Sequence, residues 1–133
     1  MDNVILNKIA IIERCIKRIN EVYKEELFNT NYDIQDIVIL NLQRACEATI
    51  DLASRIIRLK KLGIPQKTRE VFTTLQEAKI IPDELSKKLQ AMVGFRNIAV
   101  HDYKAINTDI VKAIIEKIIP DLLNFTEIIL SDF

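Results

Sequence analysis

The chain has 133 residues, enough for one domain with a core of its own and too few for a comfortable second. Hydrophobic residues make up 49% and charged residues 29%, which excludes disorder. Nineteen basic against 19 acidic side chains give a formal net charge of 0, which excludes coating of a polyanion by bulk charge and leaves only local contacts. Gly63 and Gly94, the two glycines, cannot build a phosphate-cradling G-x-G-x-x-G or Walker loop. The single histidine, His101, cannot make a His-rich metal site, so neither metal nor cofactor is expected. Cys15 and Cys46 lack C-x-x-C spacing and suit buried thiols in a reducing compartment. A mean hydropathy of +0.09 in so charged a chain predicts apolar surface left over for an oligomer.

Apolar residues recur at helical spacing throughout, so the predicted class is all-α with about five helices. The first spans about 4–23, with Ile5, Ile9, Ile12, Ile16 and Ile19 on one face. Asp2, Lys8, Glu13, Arg14, Lys17 and Arg18 interrupt its apolar repeat, so it reads as a folded helix rather than a signal peptide or membrane span, and a cytoplasmic protein is expected. Asp33 is a candidate cap for the second, which reaches about residue 59. This helix is apolar on two stripes, Val38, Leu42, Ala45, Leu52, Ile56 and Ile39, Cys46, Ile50, Ala53, Ile57, and belongs in the middle of a bundle.

A third stripe of the second helix carries Asn41, Arg44, Asp51, Arg55 and Arg58 and suits either a solvated face or the wall of a cleft, with Arg44, Arg55 and Arg58 as candidate phosphate contacts. From Arg55 to Arg69 there are six cations and no acid, which suits either a helix C-terminus or a local phosphate-binding strip. After Gly63 and Pro65 comes a short third helix over about 68–78, and Pro82 with Asp83 and Glu84 opens a fourth. The fifth starts near Asn107 and runs almost to the C-terminus, with Pro120 expected to kink it.

The fourth helix carries the chemistry. Leu85, Leu89 and Met92 share a stripe that runs into Arg96, and the chain continues Asn97-Ile98-Ala99-Val100-His101-Asp102-Tyr103. On a straight helix position 101 lies about 140° from position 96, so either the helix loosens or Asn97 and His101 line a neighbouring wall of one cleft. Residue by residue, structural roles also fit: Arg96 capping carbonyls, His101 ending a helix, Tyr103 sealing a core edge.

The segment Gly94-Phe95-Arg96-Asn97-Ile98-Ala99-Val100-His101-Asp102-Tyr103 resembles the R-x4-H-x-Y motif of HepT-like toxins in the HEPN superfamily. Asn97 matches the polar residue that often follows the Arg, and Asn41-Leu42-Gln43-Arg44-Ala45-Cys46-Glu47-Ala48 with Leu62-Gly63-Ile64-Pro65 is similar to the family's second helix and following turn. The resemblance spans almost the whole chain and implies a single HEPN domain over 1–133. It further implies a homodimer that brings two motifs to one cleft, a metal-independent RNase toxin, and an MNT-type nucleotidyltransferase antitoxin as partner. The antitoxin would silence the toxin by transferring AMP to Tyr103.

Metal-free RNA cleavage needs a base for the 2′-hydroxyl, positive charge on the phosphate and a proton for the leaving 5′-oxygen. His101 suits the proton transfers, Arg96 the phosphate and Asn97 the orientation of either, while a dimer supplies the second histidine. An unperturbed phenol, near pKa 10, is a poor base at neutral pH, so Tyr103 suits a gate or a modification site. The second and fourth helices are expected to form much of the dimer interface. The rival reading is a non-catalytic helical subunit that binds substrate for a separate nucleotidyltransferase.

Overall fold

A computed structural model of the chain describes residues 2–101 and 107–133, with side chains except at 98–101. Among the described residues six helices follow one another: α1 (Asn3–Val22), α2 (Glu25–Phe28), α3 (Tyr32–Lys60), α4 (Glu70–Glu77), α5 (Asp83–His101) and α6 (Thr108–Asp132). The sequence predicts about five; the additional one, α2, is a single turn between the first two predicted helices, too short to show a hydrophobic period. It anchors itself by one buried side chain, Phe28, whose ring meets Tyr23 edge-on.

Local chemistry sets the ends. Asp2 caps α1 by accepting from the Val4 and Ile5 amides at 2.9 and 3.1 Å. The cap of α3 is Asn31, whose Oδ1 accepts from Ile34 N at 3.0 Å, and not Asp33 as expected. Asp33 instead sits in the first turn, where the helix dipole favours a carboxylate. At its other end α3 stops on Lys61, left-handed at φ 55°, with the Leu62 amide reaching back to Ile57 O. The α4 helix ends the same way on Lys79, with Ile80 N bonded to Leu75 O. Asn107 caps α6, which runs on through Pro120 to Asp132.

Packing explains the long α3. Its most extensive partner is α1, and it also meets α4, α5 and α6, so both apolar stripes are covered. The face Leu85, Leu89, Met92 of α5 is likewise buried within the chain, at 3%, 0% and 1% exposure. Those faces therefore serve the monomer core, so a second copy would meet other faces of α3 and α5. Phe72 of α4 meets Phe125 of α6 edge-on at 6.1 Å, and its carbonyl accepts from the buried Ser86 hydroxyl of α5 at 3.2 Å. One aromatic thus ties three helices together at the start of α5. Among the described residues, no helix is long and apolar enough to cross a membrane.

Candidate functional site

Arg96 is the next position on the buried stripe of α5, one turn beyond Met92. Its stem stays covered while its fork emerges between α3 and the connector before α4, leaving the side chain 18% exposed. Nη1 donates to Glu47 Oε2 on α3 at 3.3 Å, and Nη2 donates to Thr68 Oγ1 at 3.4 Å. Nε is buried with no acceptor among the described residues. The guanidinium bonds side chains of other elements, so it does not spend itself capping carbonyls of its own helix.

Asn97 is exposed on the next position. The helix continues without a break to His101, so it does not loosen between 96 and 101. Position 97 then lies about 40° from position 101 around the axis, and position 96 about 140° away. Positions 97 and 101 thus share a helix face distinct from that of position 96. The side chain of His101, and Tyr103 altogether, lie outside the described residues.

The three arginines of α3 part company, because the helix carries Arg44 and Arg58 about 21 Å apart. Arg44 is exposed in a depression of about 330 Å³ shared with Lys8, Arg14, Asn41, Glu47 and Asp51. Arg55 is engaged with Asp2, Nη2 to Oδ2 at 2.7 Å and Nε to Oδ1 at 3.3 Å. That guanidinium, helped by the Ile5 amide, holds the Asp2 carboxyl down from 3.8 to about 2. Arg58 lies in a separate depression of about 450 Å³ with Ser54, Gln66, Lys67 and Thr68. These arginines do not form one continuous strip.

Cys46 is fully buried, and desolvation pushes its thiol well above the ordinary range. Burial raises Cys15 too. Neither is a thiolate nucleophile for His101. The α5–α6 face carries a groove of about 500 Å³ lined by Ala91, Phe95, Ile110 and Ile114, with Lys88 and Lys117 among its charged residues. Ile110 is 59% exposed there.

Sequence reasoning did not foresee Glu47 and Thr68 as the partners of Arg96. Glu47 lies within the quoted segment of α3, but pairing it with a residue 49 positions away needs the fold.

A family model described as "Ribonuclease HepT-like" matches residues 12–129. The mRNA nuclease HepT of Shewanella oneidensis is 48% identical over 133 residues, covering 99% of this chain and all of that protein. The solved structure of a tri-AMPylated Shewanella oneidensis HEPN toxin in complex with an MNT antitoxin superposes with a TM-score of 0.93 at 48% identity, over 99% of this chain and 100% of that one. A toxin–antitoxin structure with AMP-PNP gives 0.93 at 47% identity, over 98% and 100%.

Proposed function

This chain belongs to the HepT-like family of ribonucleases, and on that premise we propose that residues 1–133 act as one HEPN domain that cleaves RNA through Arg96 and His101. The observation that carries this assignment is Arg96, a guanidinium led out of an apolar stripe on the helix that ends at His101, its Nε left without an acceptor among the described residues. Its planar fork suits a phosphate with two exposed oxygens.

His101 takes the proton of a 2′-hydroxyl as the 2′-oxygen attacks phosphorus. The bond to the 5′-oxygen breaks, that oxygen leaves with a proton, and a 2′,3′-cyclic phosphate remains. Arg96 offsets the charge that builds on the phosphoryl oxygens. Asn97, about 40° from position 101, orients the histidine or the scissile group. One histidine cannot both accept and donate within a single step, so a second copy supplies the acid. The uncovered α5–α6 groove, adjoining the end of α5, supports a homodimer there. Light scattering at micromolar concentration reading the monomer mass of 15.4 kDa would remove that basis.

The partner is an MNT-type nucleotidyltransferase antitoxin, as in the solved Shewanella oneidensis complex, whose toxin is tri-AMPylated. On this chain Tyr103, two residues beyond His101, is the proposed acceptor of AMP. Each unit adds a phosphodiester and about one negative charge beside Arg96, which repels the RNA backbone. Intact mass after incubation with the antitoxin and ATP is expected to rise for the parent and stay constant for Tyr103→Phe. Equal gains in both would move the modification elsewhere.

The decisive assay is cleavage of RNA by the purified protein alone in EDTA. Activity is expected to persist without free metal, and His101→Ala is expected to lose about a hundred- to ten-thousand-fold. Near-parental cleavage by His101→Ala would refute the assignment.

A further inference from the structure

The proposed chemistry uses one guanidinium, yet a second one reaches α5 from the residue that precedes α4. Arg69 is exposed and its guanidinium makes no ion pair or hydrogen bond among the described residues. Its Nη2 lies 3.1 Å from the place a β-carbon on Gly94 would occupy. Gly94 is mid-helix, so what its missing side chain provides is room for that guanidinium rather than backbone freedom.

Helical register makes the placement informative. Position 94 precedes position 101 by seven residues, hence about 20° around the axis and about 10.5 Å along it. Arg69 therefore stands over the face of α5 that bears positions 97 and 101, whereas Arg96 lies on another. Thr68 links the two cations. It accepts from Arg96 Nη2 and also lines the depression that holds Arg58 and Lys67.

No Asp or Glu lines that depression. Of the nearest acids, Glu70 accepts from the Gln66 amide at 2.7 Å, and Glu47 faces Arg96. A run of cations that starts at Arg96 and Arg69, against α5, and continues to Lys67 and Arg58 is matched to a chain of phosphates rather than to a single anion.

We infer that Arg69, seated over Gly94, contacts an RNA phosphate flanking the scissile one, and that Lys67 and Arg58 continue this track for a single strand across the depression between the end of α3 and α4. The inference rests on the ribonuclease reading above. Such contacts position the strand without reading bases, so they act on affinity across all sequences.

Binding of a single-stranded oligouridylate to the cleavage-deficient His101→Ala protein is measured over about 50–200 mM salt. Arg69→Gln is expected to flatten the plot of log affinity against log salt by about 0.7, Lys67→Gln by a similar amount, and the pair by about 1.4. Arg69→Lys keeps the charge and is expected to keep the slope. Lys17→Gln, exposed on α1, serves as the control and leaves the slope unchanged. In the cleavage-competent protein Arg69→Gln is expected to raise KM with little change in kcat, which a merely structural role would not produce. A parental slope in Arg69→Gln, or an equal loss in Lys17→Gln, overturns the track while leaving the ribonuclease reading in place. A parent protein that neither binds nor cuts RNA overturns both.

Discussion

Replacing Arg96 by Met separates the two things this side chain does. Met keeps the covered aliphatic stem and deletes the fork, so the change in stability is set by the polar atoms alone. Two hydrogen bonds are lost, at 3.3 and 3.4 Å, both longer than the usual range. One of them ends on Glu47, whose side chain is 48% exposed and screened by water. Together they contribute about 1–2 kcal/mol. Against this, the buried Nε with no acceptor among the described residues costs about 1–3 kcal/mol, a cost that Met removes. The balance lies between a loss of about 1 kcal/mol and a gain of about 2 kcal/mol, at about 3–5 °C in Tm per kcal/mol. Cleavage is expected to fall by about a hundred- to a thousand-fold, the loss typical when a donor aimed at developing charge is deleted. Thermal unfolding by circular dichroism and RNA cleavage in EDTA are the paired readouts. A variant that cleaves as well as the parent, or one whose activity falls only in step with its folded fraction, would refute the assignment of Arg96 to the phosphate. Arg96→Lys is expected to fold and still be impaired, because a point charge does not reproduce the fork.

Asp2 titrates at about 2 when folded and near 3.8 when unfolded, so its contribution to stability is complete above pH 4 and is lost as pH falls through about 2. Asp2→Asn is expected to flatten the acid limb of urea midpoint against pH in that window, and an unchanged limb would contradict the pairing with Arg55. Phe72→Ala is expected to destabilise by about 3–5 kcal/mol, read by urea unfolding, because it empties a fully buried site that joins α4, α5 and α6. Cys46, buried and held protonated, is expected to resist thiol reagents in the folded protein and to react on unfolding; rapid labelling under native conditions would show that α3 opens locally.

Much of this protein is readable along the chain, because helical period, caps and breakers are local. The isoleucine stripe of α1, the double stripe of α3, the Asn107 cap and the opening of α5 at Asp83 all follow from residues within a few positions of one another. The same is true of the Arg96-to-His101 spacing, which fixes two positions on one helix before any tertiary contact exists. What escaped was decided by contacts between distant segments. The cap of α3 is the local exception: Asn31 rather than Asp33 accepts from the Ile34 amide, three residues on. The face Leu85, Leu89, Met92 reads as sticky in the sequence, and only the packing of the chain's own helices shows it already covered. Arg44, Arg55 and Arg58 share a stripe by period, but Asp2 claims Arg55 and the length of α3 separates the other two. Glu47 and Thr68 meet Arg96, and Arg69 meets Gly94, across 25 to 49 residues of chain, distances that periodicity does not span. Sequence alone determined the helices and the motif they carry; the tertiary structure decided which charges stand beside that motif, because pairing at a site depends on where separate helices are brought together and not on the order of residues within any one of them.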